Sequence, residues 1–207
     1  MSKLPEQIKT RYKELKQDIK NRLEEFANVP ENKYFYELCF CICTPQSKAA
    51  NAFIVQKVLE QKKFLTKPFK IEPLLRKKEN YIRFHNTKAK RLLQARKIYP
   101  KVLEILSSDL SPAQKRDWIV TNVNGIGMKE ASHFLRNIGY RNLAILDRHI
   151  LKHLVLCGLY NEVPKLASKK DYLAVEKRFL QFSKQVKIPV DELDLLFWSY
   201  ETGTILK

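Results

Sequence analysis

Two glycines one residue apart, Gly125 and Gly127, constrain this chain more than any other feature. They sit inside residues 123–150, VNGIGMKEASHFLRNIGYRNLAILDRHI. Upstream, Ser111 is a helix N-cap and Pro112 a first helical residue, which predicts a helix to about residue 121. The glycines then allow a turn that a Cβ would resist. Downstream, Ala131, Phe134, Leu135 and Ile138 form an apolar stripe at helical spacing, and Gly139 supplies the stop. The stretch therefore reads as helix, tight hairpin, helix, followed by a connector that ends at Asp147.

Such a hairpin has chemical consequences. The amides of Gly125, Ile126 and Gly127 lie at a helix N-terminus, where unpaired N–H groups and the helix dipole favour a phosphate. Lys129 falls in the first turn beside that anion site, and Asp147 follows downstream. An amine and a carboxylate near a DNA backbone suit attack on a sugar and stabilisation of the cation that results. Singly, each feature has a plainer reading: a common turn, a solvated lysine, and an N-cap for the helix from Arg148.

Charge points the same way. The 207 residues carry 39 Lys and Arg against 22 Asp and Glu, a net +17, which calls for a polyanionic partner. A lysine-rich surface also occurs in thermophiles, so charge only supports the case. Cys39, Cys41, Cys43 and Cys157 match neither zinc nor iron–sulfur spacing and read as buried, reduced thiols. No apolar run approaches membrane-spanning length and no signal peptide precedes the first charged helix, so a cytoplasmic protein without membrane association is expected.

With GIGMK followed by LDRHI, the chain resembles the helix-hairpin-helix DNA glycosylase superfamily, which carries a G-x-G-x-K hairpin and a downstream catalytic Asp. The lysine marks the bifunctional glycosylase/lyase branch. The short chain, the lack of an iron–sulfur cysteine cluster and the terminal lysine make it similar to the compact archaeal-type 8-oxoguanine DNA glycosylase/AP lyases, over roughly residues 30–207. Asn124 departs from the proline that many relatives have before the first hairpin glycine.

The resemblance implies a catalytic pair, Lys129 and Asp147. Lys129 would attack C1′ of an extruded nucleotide, giving a Schiff base and then β-elimination. A free lysine titrates near 10.4, so the site must lower that value by burial or neighbouring positive charge. It implies a damaged-base pocket drawing on His133, Trp198 and the C-terminal Lys207. His133 lies one helical turn beyond Lys129, and an aromatic or imidazole ring can stack on a flipped purine. Gln46, within TPQSK, is the candidate for filling the gap left by the extruded nucleotide, with Lys48 beside it. Phe84 is the candidate wedge beside the orphaned base, and Arg83 would reach that base or a phosphate. NTKAKRL resembles the N-S-K-A helix start of endonuclease III-like members. Some of Lys88, Lys90, Arg91, Arg96 and Lys97 are expected to face DNA. Core packing is the competing reading for Phe84 and Trp198, and a surface or internally bonded histidine for His133. The backbone carbonyls of Thr121, Val123 and Ile126 are candidates for a monovalent cation; no other cofactor is expected.

The remaining chain predicts helices over residues 6–27, 33–43 with Asn32 as its cap, and 148–157, a helix through 49–59, two around 72–99, and further helices near 163–187 and after Pro189. The alternation of Cys39, Cys41 and Cys43 also admits a strand by periodicity, and the resemblance favours helix. The expected architecture is all-α, with residues 1–30 and 148–207 in one subdomain, 31–147 in the other, and a cleft between them. A monomer acting on double-stranded DNA with an oxidised base is expected. The alternatives are an endonuclease III-like enzyme for oxidised pyrimidines and a non-catalytic helix-hairpin-helix DNA-binding module.

Overall fold

The computed structural model describes residues 2–205, and among these residues the regular structure is entirely helical. Ten α-helices follow one another: α1 Glu6–Ala27, α2 Tyr34–Cys43, α3 Ala49–Gln61, α4 Glu72–Arg76, α5 His85–Ser107, α6 Pro112–Asn122, α7 Met128–Asn137, α8 Arg148–Leu156, α9 Lys169–Val186 and α10 Val190–Thr202. They form two compact units, residues 29–134, and residues 1–28 with 135–207.

In the 29–134 unit, α2 packs on α3 and α5. Every residue of α2 from Phe35 to Cys43 is buried, which explains a helix apolar on all sides and settles Cys39, Cys41 and Cys43 as helical, free thiols. Asn32 does not cap this helix. After Pro30, in an extended conformation, the chain makes a 3-10 turn at Glu31–Lys33, and α2 begins at Tyr34 without a side-chain cap. Helix α5 runs through Pro100, losing a ladder bond there, because its buried stripe continues to Val102 and Leu106. Helix α6 opens on a capping box in which Ser111 Oγ accepts from Gln114 N and the Gln114 side chain accepts from Ser111 N.

In the other unit, α1 and α8 pack on α10, and α1 buries Ile8, Ile19, Leu23 and Phe26. The chain enters this unit within α7, at Leu135, whereas the sequence reading put the change after residue 147. The reason is polar as well as apolar. Arg136 Nη1 donates to Asp194 at 2.9 Å, and its guanidinium lies 4.9 Å from the Phe26 ring centre. The connector Leu143–Leu146 is irregular yet buried, so its backbone needs partners. Helix α9 supplies them: Glu176 accepts from Ala144 N at 2.9 Å, and Tyr172 Oη donates to Ala144 O and accepts from Leu146 N. That anchoring fixes where Asp147 emerges.

Candidate functional site

The hairpin between α6 and α7 is braced from α5. Gly125 has φ +86°, which favours glycine, and a Cβ there would meet Arg91 Cδ at 2.3 Å, so the Arg91 side chain would have to shift. Asn124, in the position often held by proline, donates its side-chain amide to Gln94 at 3.2 Å. Ile126 N donates to Val123 O at 3.2 Å and closes the turn. In the helices on either side, Arg116 of α6, fully buried, donates to Ser132 of α7 at 3.1 Å.

Lys129 stands in the first turn of α7, one-third exposed, with Nζ 3.0 Å from Glu130 Oε1. Glu130 Oε2 accepts from Gly127 N at 3.2 Å. A carboxylate of the chain itself thus occupies one of the amides expected to meet a phosphate, as electrostatics at a helix N-terminus favours. Glu130 was missed in the sequence because an acidic residue in a first helical turn has an ordinary electrostatic explanation. His133, half-buried one turn later, sets its ring edge-on to buried Phe40, with centroids 5.6 Å apart.

A second group forms in the same unit. Gln46 is exposed at the tip of the turn between α2 and α3 with φ +57°, and Lys48 is the exposed residue preceding α3. Phe84, immediately before α5, is 50% exposed with φ +58°, so it does not belong to the core. The Arg83 guanidinium lies over its ring at 4.9 Å. Ser47 Oγ accepts from Arg83 N at 3.0 Å, linking the two segments. Two of the basic residues on α5 turn inward: Arg96 Nε donates to Leu65 O at 2.6 Å, and Lys88 is buried. The signal for Lys88 was present in its register, four residues before Leu92 on the stripe that continues through Ala95 and Tyr99.

Asp147 and Trp198 belong to the other unit. Asp147 caps α8: its Oδ1 accepts from His149 N at 2.8 Å and Ile150 N at 2.9 Å, leaving Oδ2 outside the cap. Behind it, Asp194 is fully buried, and desolvation pushes its pKa up to about 7. Arg136 pulls it down, while the negative charges of Asp147 and Asp191 add to the rise. Trp198 is half-buried on α10. Gly203 ends that helix with φ +76°. Lys207 lies outside the described residues.

A family model described as 8-oxoguanine DNA glycosylase matches residues 19–188. An 8-oxoguanine DNA glycosylase/AP lyase of Fusobacterium nucleatum subsp. nucleatum is 44% identical, over 97% of this chain and 96% of its own. The crystal structure of the Methanocaldococcus jannaschii 8-oxoguanine glycosylase/lyase in complex with a 15mer DNA containing 8-oxoguanine superposes with a TM-score of 0.84. It is 35% identical and covers 96% of this chain and 98% of that one. The 8-oxoguanine DNA glycosylase of Thermotoga maritima gives a TM-score of 0.85 at 33% identity, with 97% of both chains covered. The chain belongs to the helix-hairpin-helix family of 8-oxoguanine DNA glycosylases.

Proposed function

We propose that this protein excises 8-oxoguanine from duplex DNA and then cleaves the strand at the abasic site. The observation that carries the reading is Lys129 in the first turn after a Gly-Ile-Gly hairpin, in a chain of this family. The target base must leave the helix stack before any side chain reaches C1′. Gln46 fills the vacated space and Phe84 wedges beside the orphaned partner, while Arg83, Lys48 and the hairpin amides hold the backbone. His133, Trp198 and Lys207 contribute to the pocket for the damaged base.

The phosphate's arrival at the hairpin displaces Glu130 from Gly127 N, and Lys129 leaves the same carboxylate. Once Nζ has given a proton to solvent, its lone pair attacks C1′ as the C1′–N9 bond breaks; the bonding pair leaves with the base, which takes up a proton. Nζ gives up a proton, the C1′–O4′ bond breaks and O4′ takes up a proton, which leaves the imine between Nζ and C1′. Loss of a C2′ proton then breaks the C3′–O bond and releases the phosphate. Asp147 supplies the negative charge that steadies oxocarbenium character at the sugar. Two amides hold its Oδ1 and fix the carboxylate at the start of α8.

No resident cofactor enters these steps. The carbonyls of Thr121, Val123 and Ile126 would hold a monovalent cation that shares a phosphate oxygen. Val123 O already accepts from Ile126 N, and a carbonyl keeps a second lone pair for a cation. The four buried free thiols fit a reducing, cytoplasmic setting, and the protein works as a monomer on double-stranded DNA. Strand-cleavage and borohydride-trapping assays on duplexes carrying 8-oxoguanine, thymine glycol or an abasic site test the reading. Cleavage and trapping on 8-oxoguanine, well above thymine glycol, are expected. Preference for thymine glycol would move the substrate to oxidised pyrimidines, and binding without trapping would leave a DNA-binding module.

A further inference from the structure

One buried amine has no part in the chemistry above. Lys88 is 1% exposed, yet none of its three ammonium donors is idle. Nζ donates to the carbonyls of Cys43 at 2.7 Å and Pro45 at 2.6 Å and to Ser47 Oγ at 3.1 Å. Ser47 Oγ in turn accepts from Arg83 N at 3.0 Å. A hydrogen-bonded path thus runs from the end of α2, through Lys88 and Ser47, to the residue preceding Phe84.

This path joins two strained points. Gln46 and Phe84 both have left-handed backbones, at φ +57° and +58°, and neither is glycine. Such residues persist where their surroundings over-determine them. Both side chains are exposed, so packing of those side chains does not hold them there. The bonds made by Lys88 and Ser47 tie down the residues on either side of Gln46 and the residue before Phe84. Burial pulls the Lys88 pKa down to about 8, with Arg91 and Lys129 adding to the depression and Cys43 and Glu130 opposing it. The carbonyl end of α2 compensates for burying the ammonium.

We infer that Lys88 is a positioning residue that locks Gln46 and Phe84 into one arrangement, so that gap filling and wedging occur together. It neither contacts DNA nor acts as a nucleophile. The inference rests on the gap-filling and wedge roles proposed above for Gln46 and Phe84.

The test compares a duplex with a substrate that needs no extrusion. Lys88→Met retains an apolar stem and removes the donors; Ser47→Ala cuts only the link to Arg83 and leaves Lys88 both carbonyls. Each is assayed for 8-oxoguanine excision from duplex, for the fluorescence of a 2-aminopurine next to the lesion, and for cleavage of an abasic site in single-stranded DNA. For Lys88→Met, duplex excision falls about 10- to 100-fold, the cost of misplaced positioning groups. The fluorescence rise on extrusion falls with it, and single-strand cleavage keeps the parental rate. Ser47→Ala gives the same split with smaller amplitude, and it decides the question if Lys88→Met does not fold. Equal losses on both DNAs, or unchanged duplex excision in Ser47→Ala, overturn the inference. Gln46→Ala and Phe84→Ala run alongside. If they lose duplex excision while the Lys88 and Ser47 variants keep it, only the inference fails. If they excise like the parent, the gap-filling and wedge roles fail first.

Discussion

Helices α7 and α8 solve one electrostatic problem in two ways, and the difference separates a group that must move from a group that must not. Both helices start with amides that call for an anion. At α8 the anion is Asp147, whose Oδ1 takes two amides from the N-cap position and whose backbone is anchored by the buried connector before it. At α7 the anion is Glu130, which reaches back to Gly127 N and also pairs with Lys129. The first carboxylate is held by local chain geometry. The second rests on contacts that a DNA phosphate can replace. A fixed charge suits stabilisation of a cation, and a displaceable one suits a site that must open for substrate.

The comparison breaks most visibly at Lys129. Lys129→Gln is expected to lower excision and strand cleavage by about 10⁴-fold or more, on the scale of losing a covalent nucleophile, with lesion-DNA binding preserved in a gel-shift titration. Asp147 comes next. Asn caps a helix as well as Asp does, so Asp147→Asn should keep the melting temperature while excision falls about 10²- to 10³-fold. Asp147→Ala should lose a further ~1 kcal/mol of stability with the cap. Equal melting losses in both variants would show that charge, not capping, holds α8.

Gly125→Ala probes the hairpin between these extremes. Its Cβ would strike Arg91 in a left-handed backbone, so stability should drop by about 1–2 kcal/mol in denaturant unfolding. Glu130→Gln removes the charge that competes with phosphate and should tighten DNA binding several-fold, about 1 kcal/mol at low salt. Weaker binding would mean that Glu130 organises the hairpin instead of guarding it.

A further effect, read through pH, concerns the charge behind Asp147. The Asp194 pKa is raised in the folded state, so its contribution to stability is complete below the unfolded carboxylate value and is lost as pH rises through about 7. Melting curves from pH 4 to 8 should therefore show the parent losing stability relative to Asp194→Asn as pH increases. Desolvation sets this shift, with Arg136 opposing it and Asp147 and Asp191 adding to it.

Much of this was legible in the chain. Ser111, Pro112, Gly125 and Gly139 mark helix ends because capping and turn chemistry are local, with Gly125 and Gly139 in left-handed backbones, whereas the Gly127 backbone is not left-handed. Asp147 was legible as a cap for the same reason. Asn32 misled because Pro30 starts a 3-10 turn before α2, and Pro100 did not stop α5 because tertiary burial of Val102 and Leu106 outweighs a lost backbone bond. Lys88 and Glu130 were the harder cases. One is a charge whose burial depends on carbonyls over forty residues away in sequence, and the other is a carboxylate whose two partners meet only once the hairpin has formed. The left-handed backbone of Phe84 is likewise announced by no local pattern.

The most direct test of the central claim is to trap the enzyme on an 8-oxoguanine duplex with borohydride, digest the adduct and locate the modified residue by mass spectrometry. The account predicts a deoxyribose remnant on Nζ of Lys129, in the peptide that follows the hairpin glycines. An adduct on any other amine, Lys88 included, would contradict it.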